Sequence, residues 1–175
     1  MTHASDNTGL GPQFEDREAI VEEHWESVYR HVFRLCGNIH DAEELTQEAF
    51  LRALQRFDQF KSGTNLRGWL LRVATNAFLD RKRRKHGASL EGDAKDMAGG
   101  EEPANQVMER NELAGRVQQA LLQLTATQRA VFVLRVVEAM AFGDIADSIG
   151  TTEATARWHM LQARQQLLKM LGGVL

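Results

Sequence analysis

Apolar residues return every three or four positions along nearly the whole chain, and this spacing decides the fold class before any other feature is considered. From Ile20 to Cys36 the repeat is Val21, Val28, Val32 and Leu35, with Trp25 and Tyr29 beside it. Leu45, Ala49, Phe50, Ala53 and Phe57 continue the pattern, as do Leu66, Leu70, Val73 and Ala77. Further on come Val117, Leu121 and Leu124, then Ala130, Val133, Leu134 and Val137, and finally Ala156, Met160, Ala163, Leu167 and Met170. The 2 prolines, Pro12 and Pro103, lie outside these segments, and no stretch alternates with period two for long enough to build a sheet. The chain is expected to be all-α.

Punctuation divides the helices. Gly37-Asn38 closes the first, with Asp41 expected to cap the second, which runs to about Phe57. Lys61 to Thr64 reads as a loop before a helix from about Asn65 to Arg84. Between Gly87 and Pro103 the periodicity stops and the sequence turns to Gly, Ala and acids, the composition of a flexible linker. The expected organisation is a disordered tail over 1–14, a helical domain over 15–87, a linker over 88–104 and a second helical domain over 105–175.

The net charge of -3 conceals a segregation of sign. Glu15–Glu48 holds 10 acids and 3 arginines, Lys61–Gly87 holds 8 bases and 1 acid, and Ala88–Glu112 holds 7 acids and 2 bases. A basic block between acidic ones suits a protein with separate nucleic-acid and protein partners. Cys36 is the single cysteine, so no internal disulfide is possible, in keeping with a reducing cytoplasm. It reads as a small apolar residue, not a reactive thiol. No apolar run is long enough to span a membrane, and the first residues lack the layout of a signal peptide. The 6 histidines show no metal-ligand spacing, and no phosphate-cradling loop or nucleophile elbow occurs. No cofactor, no metal and no catalytic residue is expected; the chain does not read as an enzyme.

The most specific local signal is Phe142-Gly-Asp-Ile-Ala-Asp-Ser-Ile-Gly150-Thr-Thr-Glu-Ala-Thr-Ala-Arg157. A short helix, a glycine turn and a threonine cap before a longer helix make a helix-turn-helix, which presents its second helix to the major groove. With Ala156, Met160 and Ala163 inward, Thr152, Thr155, Trp158, His159 and Gln162 fall on the DNA side, flanked by Arg157 and Arg164 for phosphates. A plain helical hairpin is the competing reading, disfavoured because turn, cap and pattern agree. The run Arg81–Lys85 suits a solvated helix end, yet it follows Trp69, Arg72, Asn76 and Asp80, and aromatic with basic groups can hold unstacked bases. Taken alone, Trp69 reads as core. The acidic helix from Asp41 fits either a solvated face or a docking face.

Three blocks taken in order resemble the extracytoplasmic-function (ECF, group IV) bacterial RNA polymerase sigma factors. Asp41-Ala-Glu-Glu-Leu-Thr-Gln-Glu-Ala-Phe-Leu-Arg-Ala is similar to the core-binding helix of region 2, and Phe60 to Arg84 to the promoter-melting stretch. Leu121-Leu-Gln-Leu-Thr-Ala-Thr-Gln-Arg-Ala-Val-Phe with the helix-turn-helix resembles region 4. The resemblance implies that Asp41, Glu44, Leu45, Gln47, Glu48 and Phe50 form or support a surface for the clamp helices of core RNA polymerase. It implies that Lys61, Ser62, Gly63, Thr64 and Asn65 make a base-capturing loop of the proximal promoter element. Trp69, Arg72, Asn76, Arg81, Arg83 and Arg84 then hold the single strand, and region 4 reads the distal element in duplex DNA. It further implies an anti-sigma factor as partner and a cytoplasmic location without membrane insertion. The chain departs from the family pattern at Thr125-Ala126, where proline is common, and at Ala154-Thr155-Ala156, where Gly-Thr-Val is common. Cations are also sparser around His159 and Gln162. Two other functions fit the blocks without the resemblance: a helix-turn-helix regulator that never joins polymerase, and a helical partner-binding protein.

Overall fold

The computed structural model describes residues 14–61, 63–85, 87 and 112–172. All regular structure among them is helical. Helix α1 spans Phe14–Cys36, α2 Ile39–Gln55 and α3 Leu66–Lys85, with a single 3-10 turn at Phe57–Gln59. Helix α4 spans Glu112–Leu122, α5 Ala126–Phe132, α6 Phe142–Ile149 and α7 Glu153–Leu171. The expected tail and linker fall outside the described residues, apart from Phe14.

The first three helices close on one core in which Val28, Val32 and Leu35 of α1 meet Leu45, Ala49 and Phe50 of α2 and Leu71, Ala74 and Phe78 of α3. Helix α1 starts at Phe14, ahead of the apolar pattern that begins at Ile20. The cap of α2 also differs from expectation. Asn38, not Asp41, is the N-cap: its side chain accepts from the Asp41 amide at 2.8 Å while its amide donates to the Asp41 carboxylate at 2.8 Å. Gly37 sits at φ +81, and a Cβ there would come within 2.6 Å of the Leu122 side chain, so glycine serves both the turn and the approach of α4.

In the second domain α5 opens with a full capping box. Thr125 accepts from the Gln128 amide, and the Gln128 side chain accepts from the Thr125 amide. The regular helix ends at Phe132, earlier than the apolar repeat suggests, and passes into a wide π-turn, Val133–Val137. That widening rotates Val136 and Val137 outward, while Val133 and Leu134 stay buried. Ala139 follows at φ 55, a left-handed conformation that costs a residue with a Cβ roughly 1 kcal/mol.

The two domains share a boundary. Ala130 and Val133 pack into the core of α1–α3. Arg129, only 2% exposed, donates to the carbonyls of Leu121, Leu122 and Leu124 at the end of α4 and to that of Leu35 in α1. One guanidinium thereby satisfies orphan helix-end carbonyls of both domains. Glu138, its side chain 3% exposed, meets His31 of α1 at 3.4 Å and Arg67 of α3 at 2.5 Å. The other ring nitrogen of His31 lies 2.8 Å from the Thr75 hydroxyl. Burial opposes ionisation of Glu138, but the bonds from His31 and Arg67 prevail and hold its pKa at about 2. Burial lowers the pKa of His31, against the pull of Glu138.

Candidate nucleic-acid interface

Helix α3 and the turn before it carry the first cluster. Phe57, Phe60 and Trp69 form a three-ring group: Trp69 lies 6.0 Å from Phe57, edge-on at 88°, and 5.5 Å from Phe60. Trp69 is half-buried, so it is both a core-packing residue and a wall of the adjoining cleft. That cleft, about 720 Å³, is lined on one side by Lys61, Thr64, Asn65, Gly68, Trp69 and Arg72. Ala139, Met140, Ala141 and Asp144 of the second domain face them. Arg72 reaches across to Asp144 at 2.9 Å.

Not every residue of this stretch is free for a ligand. Asn65 accepts from the Gly68 amide at 3.0 Å and so stabilises the first turn of α3. Thr64 donates to the Lys61 carbonyl at 2.7 Å. Gly63, at φ +85, has nothing within 4 Å of where a Cβ would stand, so the loop is open there. Ser62 lies outside the described residues. Asn76 is half-buried, one turn beyond Arg72.

Further along α3 the basic run turns toward α2. Arg81 pairs with Asp41 at 3.3 Å and Glu44 at 2.6 Å, Arg84 lies 3.5 Å from Glu48, and Arg52 bridges Glu48 and Asp80. Arg83 pairs with Asp80 at 2.5 Å. The expected polymerase-facing acids and the expected strand-holding cations are therefore partners of one another. The side-chain bond from Asn38 keeps Asp41 ionised below the usual carboxylate range, aided by Arg81. A bond from Arg81 does the same for Glu44. For Asp80 burial works the other way and is outweighed by bonds from Arg52 and Arg83. The exposed residues along the middle of α2 are Glu43, Glu44, Gln47 and Leu51, the last 62% exposed. Leu45 and Phe50 lie inside, where they support that face without forming it.

The second cluster is the helix-turn-helix. Gly150 takes φ 70, the left-handed turn that favours glycine, and Thr152 caps α7 by accepting from the Thr155 amide at 3.1 Å. Ala156, Ala163 and Leu167 are buried, with Met160 beside them. The residues farthest from that core are Ala154, Trp158, Leu161 and Gln165, all exposed. Trp158 takes its expected outward place. Thr155, His159 and Gln162 are half-buried on one flank, less prominent than the periodicity implies, and Arg157 and Arg164 are exposed on the other. Arg157 folds back, with Nε and Nη2 both donating to Glu153 Oε1 and the guanidinium 4.5 Å above the Phe142 ring. Leu161 is not predicted from sequence because a leucine at helical spacing reads as core, and Gln165 lies one turn further from the cap.

Several other features bear on function. Burial pushes the Cys36 thiol up to about 12, which makes it unreactive at neutral pH. Among the described residues no group of His, Cys, Asp or Glu has the geometry of a metal site, and no helix is long and apolar enough to cross a membrane.

A three-helix acidic and basic unit followed by a helix-turn-helix unit has the build of a two-domain DNA-binding protein. Family comparison agrees: residues 20–87 match Sigma-70 region 2, and residues 114–167 match Sigma-70 region 4. The chain is 31% identical over 163 residues to the ECF RNA polymerase sigma factor SigW of Bacillus subtilis, covering 87% of both chains. It is 35% identical over 169 residues to the ECF sigma factor SigE of Mycolicibacterium smegmatis, spanning 95% of this chain but 65% of that relative's length. It belongs to the ECF RNA polymerase sigma factors, which are transcription initiation factors and not enzymes. The fold is similar to that of the sigma factor RpoE of Bartonella quintana, solved with the anti-sigma factor NepR, at TM-score 0.67 and 21% identity over 90% of this chain and 98% of that one.

Proposed function

We propose that this chain binds core RNA polymerase in the cytoplasm and directs initiation at a specific set of promoters. The outer face of α2, with Glu44 and Gln47 exposed, Asp41 and Glu48 half-buried beside them and Leu45 and Phe50 beneath, docks on the clamp helices. The cleft beside α3 captures an unstacked base of the proximal element, using the loop at 61–65 and the rings of Phe60 and Trp69. Arg72, Asn76, Arg81, Arg83 and Arg84 follow the single strand. Thr152, Thr155, Trp158, His159 and Gln162 read the distal element in the major groove, with Arg157 and Arg164 toward phosphates. An anti-sigma factor regulates the chain, as NepR does by its name for the Bartonella relative.

The observation that carries this reading is the juxtaposition of an aromatic group and a basic helix at one cleft. Melting a duplex requires a compensating gain for each unstacked base, and ring faces beside cations supply it. A helix-turn-helix regulator that never joins polymerase has no use for a strand-holding cleft or an acidic α2 face. Run-off transcription with core polymerase on the promoter of the chain's own operon tests the proposal. A specific transcript that disappears with Glu44→Lys, while duplex binding persists, is the expected result. Duplex binding without capture of core polymerase by the parent chain would overturn it.

A further inference from the structure

The outward face of α7 carries two large apolar side chains where a duplex-reading helix usually offers donors and acceptors. Trp158 and Leu161 stand one turn apart, each 52% exposed, opposite the buried Ala156 and Ala163. A single exposed apolar residue on a surface is ordinary. Two large ones, centred on the face that a helix-turn-helix inserts into the groove, require a partner chemistry. The nearest guanidinium is turned away from the centre of that face: Arg157 sits on its flank, donates twice to Glu153 and covers Phe142. Bidentate recognition of guanine needs that fork free and pointing outward. Arg164 lies two turns beyond Arg157, on the same flank.

Only one base edge in the major groove is apolar: the C5-methyl group of thymine. We infer that Trp158 and Leu161 are specificity-determining residues that recognise thymine methyls in the distal element, in place of an arginine–guanine code. The inference rests on the proposed docking of α7 in the major groove and deepens it. Burying a methyl against an indole or isobutyl group removes apolar surface from water on both sides. It also discriminates against cytosine, which lacks that methyl and so gains nothing from the indole or isobutyl group.

The test uses holoenzyme assembled from the full chain and core polymerase. Two pools of duplex carry a randomised distal block, one synthesised with thymine and the other with uracil, which keeps every hydrogen-bonding group and lacks only the methyl. The expected result is selection of sites with thymine at fixed positions and binding of the uracil copies weaker by roughly three- to fourfold per methyl contacted. Trp158→Ala with Leu161→Ala should erase the difference between pools while the helical circular-dichroism signal stays intact, since both side chains are exposed. Equal binding of the two pools, with sequence selection retained, overturns the methyl inference and leaves the docking reading standing. So does a guanine-rich consensus lost on Arg157→Gln, or a thymine preference that survives the double substitution. Absence of any selection in the distal block overturns the docking reading itself.

Discussion

Helices α3 and α7 both face nucleic acid in the proposed function, yet they are built on opposite principles. The α3 surface is charged, and much of its charge is already neutralised by acids of α2, by its own Asp80 and, through Arg72, by α6. The α7 surface carries two large apolar side chains, Trp158 and Leu161, on its outward face, with its one early cation folded onto Glu153. The α3 cleft is also covered by the second domain, whereas Trp158 and Leu161 are open. In the proposed function, one helix meets a deformable strand through charge and rings and is partly covered, and the other meets a rigid groove through apolar contact and is exposed. Ion pairs on a surface are individually weak, so the α3 pairs can exchange a carboxylate for a phosphate at little cost.

The largest effect is expected at the boundary between the two. Glu138→Ala leaves the buried His31 ring without its acceptor and Arg67, 45% exposed, without its ion partner, and an unsatisfied buried polar group of this kind costs about 1–3 kcal/mol. The domains should separate, visible as a larger radius of gyration in X-ray scattering, and affinity for single-stranded DNA should rise while duplex binding by α7 stays put. Expansion without any gain in single-strand affinity would show that the cover over α3 is inconsequential. Trp69→Ala should act the other way, lowering single-strand affinity by roughly tenfold, since stacking contributes about 1–3 kcal/mol per base. Anisotropy titrations on a fluorescent oligonucleotide read this directly, and an equal loss on duplex would erase the contrast between the helices.

Acid should reproduce the boundary substitution. The folded pKa of Glu138, about 2, lies below its ordinary value, so its contribution is complete above the unfolded pKa and fades as pH falls toward 2. His31 is also lowered, which means that the closed form resists its protonation and loses stability as pH falls below the free imidazole value. Both signs agree: closure weakens on acidification, and Glu138→Gln should remove the lower part of that dependence in scattering measured across pH. A smaller effect concerns salt. Arg83→Gln with Arg84→Gln should reduce the slope of single-strand affinity against salt by about 1.4, at roughly 0.7 for each phosphate no longer neutralised. An unchanged slope would mean that both cations remain with Asp80 and Glu48 when DNA is bound. The smallest is Thr152→Ala, which should lower the melting temperature through loss of about 1 kcal/mol of capping.

Most local chemistry was legible in the sequence, though the α2 cap fell to Asn38 and not Asp41, and distant pairing was not legible. Thr125 with Gln128, Gly150 and Thr152 are readable because cap and turn lie within a few residues of each other. The cleft residues Lys61, Trp69 and Arg72 are legible too, since they share one turn and one helix. Glu138 is not, because its partners are 107 and 71 residues away. Arg129 looks like a solvated cation within a short helix, and only the carbonyls of two converging helix ends reveal its role. The outward turn at Val136 and Val137 is hidden because a π-turn adds a residue to the period, which no regular repeat anticipates.

The packing of Ala130 and Val133 into the first core has a consequence for biosynthesis. On the ribosome, α1–α3 emerge and can close on themselves long before those two residues exist. At roughly 5–20 residues per second, the apolar seat they fill stays bare for some seconds in every nascent chain. During that interval the first domain presents a sticky, half-finished face, and slow translation through the Gly- and acid-rich segment would prolong it. Synonymous codon choice between Lys85 and Val133 should therefore influence how much of the chain escapes aggregation.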